Sequence, residues 1–311
     1  MARLEGKVAI VTGAGHGQGE AAAKLFAREG AAVTVADLDA DGGRRVSSKI
    51  EAEGGRALAV TVDVSEPAQV SEMVERTIAA FGALHVLYNN AGVLIPGTVE
   101  ELDLGAWNRL FAVNVTGPFL CSRTAVPRIK ESGGGSIINT ASTAGLVGEA
   151  GLAGYCATKG AVVNLTRAMA LDYARDGIRV NCICPGWVET GFNDPAIERM
   201  GGPDVVAGLV DTFVPMGRQG EPEEIASVAL FLASEESSLV TGHTRWRTAG
   251  SSRCERASAR ARRLEMEGGE TGCGGGQGPG SGGHCPCPSC SWRRVVVTAR
   301  SNRRPAPSPC R

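Results

Sequence analysis

Hydrophobic positions along the first 240 residues fall into two alternating rhythms. Short β-branched runs at 7–12, 32–37, 57–62, 84–88, 136–141 and 178–184 read as strands. Between them, apolar residues recur every three or four positions over 17–29, 41–53, 67–81, 104–130 and 154–175, and again over 203–213 and 222–234. The 104–130 stretch is long enough for one helix or two. Strands that alternate with helices of this length predict a parallel sheet covered on both faces. Right-handed crossovers then give an α/β, doubly wound parallel sheet (a Rossmann fold) in a single domain.

The rhythm stops at Arg245. Beyond Val240-Thr241-Gly242-His243-Thr244 no apolar period continues, and 268–283 is dominated by glycine. The sequence therefore divides into a regularly patterned body, 1–244, and an Arg/Gly/Pro/Cys-rich tail, 245–311, expected to be disordered. A final strand after residue 244 is expected to be missing, which would leave the strand at 178–184 with an unpaired edge. The tail has the composition that GC-rich DNA yields in an unselected frame, consistent with a change of reading frame near Thr244.

Charge divides at the same place. The whole chain carries 32 Lys+Arg and 33 Asp+Glu, of which 13 Arg and 4 Glu lie in the tail, so an acidic body precedes a basic end. An acidic body argues against a specific nucleic-acid partner. Four of the ten cysteines lie in the body, no secretory leader opens the chain, and no apolar run reaches the ~18 residues of a membrane span. A cytoplasmic protein with free thiols and no membrane association is expected. His16, His85 and His243 are too scattered for a ligand set, and the close spacing of Cys285, Cys287 and Cys290 suits zinc poorly, so no metal is expected.

Thr12-Gly13-Ala14-Gly15-His16-Gly17-Gln18-Gly19 follows the first strand and opens a helix. Glycine lets the backbone approach a pyrophosphate, and the unpaired N–H groups of the helix then point at it. Asp37 ends the second strand, where its carboxylate would accept from ribose hydroxyls and repel a 2′-phosphate, favouring NAD over NADP. Arg44 and Arg45 follow closely and are expected on a solvated face.

Thr12-Gly13-x-x-x-Gly17-x-Gly19, Asn89-Asn90-Ala91-Gly92, Asn114, Ser142, Tyr155-x-x-x-Lys159 and Pro185-Gly186 occur in an order and at spacings that resemble the short-chain dehydrogenase/reductase family, over about residues 4–244. The resemblance implies that Gly13, His16, Gly17, Gln18 and Gly19 hold an NAD cofactor together with Asp37, Tyr155 and Lys159. It implies too that Asp63 and Val64 line the adenine, Asn90 the adenosine ribose, and Pro185, Gly186, Val188 and Thr190 the nicotinamide end. Gln18 departs from the family pattern, which often carries an apolar residue there.

Tyr155 and Lys159, four apart on a helix, share one face. An ammonium held near a phenol favours the phenolate, so Tyr155 could serve as a base. Ser142 would bind the developing oxyanion, and Asn114 resembles the family asparagine that holds a water against the lysine. The implied activity is an NAD-dependent oxidoreduction of a secondary alcohol or ketone, with a mostly apolar lid over 192–213. Alternatives are a 3-oxoacyl thioester reductase and a nucleotide-binding protein inactivated by its altered C-terminus. The resemblance further implies a homo-oligomer, dimer or tetramer, joined through the 104–130 and 154–175 helices.

Overall fold

The computed structural model describes residues 2–244 and the backbone of 246–248. Strands β1 (Val8–Thr12), β2 (Ala32–Asp37), β3 (Arg56–Thr61), β4 (Val86–Asn89), β5 (Gly135–Thr140), β6 (Ile178–Pro185) and β7 (Trp246–Thr248) form one parallel sheet in the order β3-β2-β1-β4-β5-β6-β7. Both faces are covered, which is why β1 and β4 are buried at every position and are apolar up to their last residues, Thr12 and Asn89.

Side chains alternate between two cores. Val11, Tyr88, Ile138 and Ile183 pack on one face, under helices α1 (Gly17–Arg28) and α9 (Pro222–Ala233). Ile10, Leu87, Ile137 and Val180 pack on the other, under α3 (Pro67–Phe81) and α5 (Gly117–Glu131). Helix α2 (Ala40–Ala52) lies beside β2 and β3, and α6 (Ala153–Tyr173) beside β6. Local chemistry sets the helix ends. Asp39 caps α2 through the Asp41 amide, Pro67 begins α3, Gly82 ends it at a positive φ of 81°, and a Glu221/Glu224 capping box starts α9.

The 104–130 period resolves into two helices. α4 (Leu104–Phe111) passes through a π-helical turn, Ala112–Thr116, before α5 begins. A π turn inserts one residue into the helical ladder and redirects the side chains it carries, here Asn114. The segment expected as a lid contains two helices, α7 (Asp194–Arg199) and α8 (Pro203–Phe213), of which only the second follows from the apolar period.

The expected absence of a final strand is corrected by β7. Its three residues pair in parallel with Ile183, Cys184 and Pro185. The chain is already running along β6 before it arrives there: Gly242 N–H donates to Val180 at 2.8 Å, and Cys182 N–H donates to His243 at 2.9 Å. Asn181 adds two bonds, to the Val240 carbonyl and from the His243 amide. An open strand edge pairs with backbone and reads no side chain, so a segment without apolar periodicity can still complete the ladder. Residues 249–311, which hold most of the expected tail, lie outside the described residues. Among the described residues, no helix is long and apolar enough to cross a membrane.

Phe26 of α1 is fully buried, with its ring 6.4 Å from that of Tyr88 on β4. Phe26→Ala is expected to lower unfolding free energy by about 3–5 kcal/mol in urea denaturation. A loss under about 1 kcal/mol would show that this face of the sheet is not packed as described.

Candidate active site

The strand order reverses beside β1, whose neighbours are β2 and β4. In such sheets the connections leave in opposite directions and open a crevice at the C-terminal strand ends. A cavity of about 780 Å³ lies there.

The glycine loop forms one wall. Gly13 and Gly17 have φ of 63° and 52°, a region that side chains with a Cβ rarely adopt. A Cβ on Gly19 would overlap the Gly13 carbonyl and stand 2.7 Å from Asn90 Nδ2. Asn90 fixes the turn by donating to the Thr12 and Gly13 carbonyls, both at 3.1 Å, while Thr12 Oγ1 accepts from the Asn90 and Ala91 amides. Asp37 accepts from Gly15 N at 2.7 Å and Asp39 N at 2.9 Å, so its carboxylate stands at the loop.

Neighbouring charges are paired. Arg45 donates to the Gly15 carbonyl and to both oxygens of Glu20, and Arg44 pairs with Asp41. His16 Nε2 lies 2.7 Å from Asp39 Oδ2, and this contact holds the Asp39 carboxyl below its ordinary value.

Opposite the loop, Asp63 is raised by burial, but hydrogen bonds from Ser65 and the Arg109 guanidinium at 3.3 Å prevail and hold it low. Val64 is buried beside it. After β6, the Val188 segment is held to Gly220 by Gly220 N–H donating to Trp187 at 2.8 Å and Glu189 N–H donating to Gly220 at 2.9 Å. This places Thr190 against Gly17.

Ser142 caps the short turn that follows β5, accepting from Ala144 N at 3.2 Å, and its hydroxyl lies on the cavity wall near the Tyr155 phenol, which it favours in the ionised form. Lys159 is 3% exposed. Its Nζ donates to the Thr140 carbonyl at 2.9 Å and lies 5.5 Å from the centroid of the Tyr155 ring. Burial draws the lysine down to about 8. Burial also pushes the Tyr155 phenol up, the Ser142 bond opposes that shift, and the charge of Glu149 adds to it. In the protein by itself, desolvation therefore outweighs the pull of the Ser142 hydroxyl.

Asn114, 1% exposed, accepts from Val93 N at 2.8 Å and donates to Val93 O and Thr158 Oγ1. It thus ties the segment after β4 to α6. Gly92 sits between its amide and Lys159, since a Cβ there would lie 3.2 Å from Asn114 Oδ1 and 3.5 Å from Lys159 Nζ.

Gly13, His16, Gly17, Gln18, Asp37, Asp63, Val64 and Asn90 line the cavity, as do Ser142, Tyr155, Lys159, Pro185, Gly186, Val188 and Thr190. Gly19 and Asn114 stand behind its wall, shaping it by contact. Arg109, Glu149, Leu152, Trp187 and Phe192 also line it. Phe192 falls in the segment expected as a lid, whereas the others carry no spacing signal that marks them in sequence. Among the described residues, no three His, Cys, Asp or Glu side chains gather as a metal set.

A family model described as "Enoyl-(Acyl carrier protein) reductase", one of the short-chain dehydrogenase models, matches residues 13–252. The chain belongs to the short-chain dehydrogenase/reductase family. Meso-2,3-butanediol dehydrogenase of Serratia marcescens is 42% identical over 240 residues, 77% of this chain and 92% of the relative. Cyclohexanol dehydrogenase of Acinetobacter sp. (strain SE19) is 41% identical over 77% of this chain and 92% of its own. Among solved structures, a 7α-hydroxysteroid dehydrogenase complexed with NADH and 7-oxo glycochenodeoxycholic acid superposes with a TM-score of 0.75 at 33% identity, covering 80% of this chain and 95% of that one. This short-chain dehydrogenase/reductase is an oxidoreductase of CH–OH groups that works with NAD(P).

The cavity fits a dinucleotide on two observations. A Cβ at Gly13 or Gly19 would clash with the loop's own backbone or with Ala91 and Asn90, so only glycine lets the turn that shapes the cradle close, and the buried Gln18 Oε1 and Thr190 Oγ1 have no hydrogen-bond partner within the protein. Gly19→Ala is expected to weaken NADH binding at least roughly tenfold in a fluorescence titration, the order of effect of ~1.4 kcal/mol lost to a clash. Gly208→Ala, where a Cβ meets nothing within 4 Å, is the control. Equal affinities in the two variants would contradict the cradle.

Proposed function

We propose that this chain transfers hydride between NAD(H) and a secondary alcohol or ketone, with Tyr155 as the proton-transferring group. The observation that carries the proposal is the meeting of Ser142, Tyr155 and Lys159 at one end of a cavity whose other end is built of the glycine loop and Asp37. The relatives' names point to the same chemistry, since they act on a butanediol, on cyclohexanol and on a hydroxysteroid.

The N–H groups at the start of α1 would hold the pyrophosphate, Asp37 and Asn90 the adenosine ribose, and Asp63 with Val64 the adenine. Val188 and Thr190 would bond the carboxamide end, where the Thr190 hydroxyl is otherwise unpartnered. When bound, the dinucleotide supplies the carbon that accepts or gives the hydride, and in its oxidised form a positive charge near the phenol.

Tyr155 takes the hydroxyl proton in oxidation and returns it in reduction. Ser142, whose oxygen already accepts from Ala144 N, directs its own O–H toward the oxygen that carries the developing charge. Lys159 supplies a nearby positive charge that favours the phenolate, and Asn114 holds the wall against which Lys159 packs.

NAD is the proposed form of the cofactor. Asp37 would accept from both ribose hydroxyls and repel a 2′-phosphate, and the two nearby arginines are engaged by Glu20 and Asp41. The reading as an inactivated nucleotide binder rested on an unpaired β6, and β7 pairs it. Exposed Leu104, Phe119 and Leu171, on the outer sides of α4, α5 and α6, support assembly with further copies through these helices.

The test is NADH formation from secondary alcohols by the wild type, Tyr155→Phe and Asp37→Ala. Tyr155→Phe is expected to lose at least about 100-fold in kcat with NADH affinity retained. Asp37→Ala is expected to lower kcat/KM for NAD by about tenfold and move the preference toward NADP. Retained turnover in Tyr155→Phe would refute its proton-transfer role, and an unchanged cofactor ratio would refute the NAD assignment.

A further inference from the structure

On one side of Tyr155 the cavity wall is apolar. Leu152 packs on Tyr155 with Val93 and Leu94, and the Phe192 ring lies 6.2 Å from the tyrosine ring. One acidic side chain, Glu149, interrupts this wall. Two other polar residues nearby have different situations: Asn193 donates to the Val188 carbonyl at 2.7 Å, and Glu189 is exposed.

Glu149 is half-buried and held from several sides. Its amide donates to Cys156 Sγ at 3.4 Å, and its carbonyl accepts from Leu152 N at 3.3 Å and from the Cys156 thiol at 3.9 Å. The loop carrying it is pinned in turn, because Gly97 N donates to Gly151 O at 2.7 Å and Ala153 N donates to Gly97 O at 3.1 Å. These bonds order the loop, so the carboxylate does not act as a free surface charge. Its Oε1 accepts from Thr143 Oγ1 at 3.3 Å, and Thr143 directly follows Ser142. The carboxylate therefore stands beside the group that orients the reacting oxygen, and Tyr155 feels its charge.

A carboxylate has about four acceptor sites and no proton to give at neutral pH. In a largely apolar pocket, such a group fixes the orientation of a ligand that brings a donor, and repels one that brings a negative charge. We propose that Glu149 is a specificity-determining residue that accepts a hydrogen bond from a second hydroxyl on a carbon neighbouring the reacting carbinol. The favoured substrates are then diols or hydroxyketones, and hydroxycarboxylates are turned away. This inference rests on the hydride-transfer reading above and adds a substrate class to it.

The experiment compares kcat/KM for 1,2-cyclopentanediol, cyclopentanol and 3-hydroxybutanoate in the wild type, Glu149→Ala and Glu149→Gln, with NADH binding as the check on folding. A hydrogen bond to a charged acceptor predicts that the wild type prefers diol over mono-ol by roughly tenfold or more. That ratio is expected to fall to about threefold or less in Glu149→Ala and to an intermediate value in Glu149→Gln, whose amide oxygen still accepts. Both variants are expected to gain on 3-hydroxybutanoate relative to cyclopentanol. An unchanged diol ratio in variants that bind NADH would overturn the role of Glu149 and leave hydride transfer standing. Failure of the wild type on both alcohols would instead bring down the hydride-transfer reading itself.

Discussion

Taking an ammonium out of water is among the least favourable steps in folding, and the site depends on how this chain does it for Lys159. The Thr140 carbonyl accepts from Nζ, and the face of the Tyr155 ring lies beside it. Backbone closes around the lysine where side chains would not fit. A Cβ at Gly145 would stand 2.6 Å from the Lys159 carbonyl, and one at Gly92 would approach Nζ. Packing thus sets the position of α6 against β5 at the point where the chemistry needs it. The same burial draws the lysine and the phenol toward their neutral forms, so a positive charge arriving with an oxidised dinucleotide acts on a pair poised to respond.

The rest of the molecule builds the crevice that opens beside that pair. The reversal of strand order opens the crevice, the glycine loop lets backbone reach into it, and Asp37 stands at that loop. Orphaned acceptors in a well-packed protein are uncommon, and two of them, on Gln18 and Thr190, line this crevice. Gln18 is the residue that departs from the family pattern, and its amide adds a polar group where an apolar side chain is usual.

Much of this was legible in sequence because parallel strands are buried on both faces and show themselves as mostly apolar runs, as β1, β2 and β4 do. Tyr155, Lys159 and Asp37 were legible because helix spacing and strand ends fix where such side chains lie. The π turn at Asn114 was not, since it depends on an extra residue in the ladder and carries no composition of its own. β7 escaped for a related reason: its pairing is made by backbone, to which Trp246, Arg247 and Thr248 contribute no apolar period. Short α7 lacks enough turns to show a period, and Glu149 and Arg109 reach the cavity only through tertiary folding.

The claim that burial governs the pair is tested most directly by following lysine side-chain ¹³C resonances against pH in the dinucleotide-free protein. Lysine burial favours the neutral form, so the folded-state value lies below the unfolded one, and stability is gained as pH rises between them. The account predicts one resonance, absent from Lys159→Met, that titrates near 8, well below the ~10.4 of a lysine in water. If Lys159 titrates at the ~10.4 of a lysine in water, its ammonium is solvated and the account of this site is wrong.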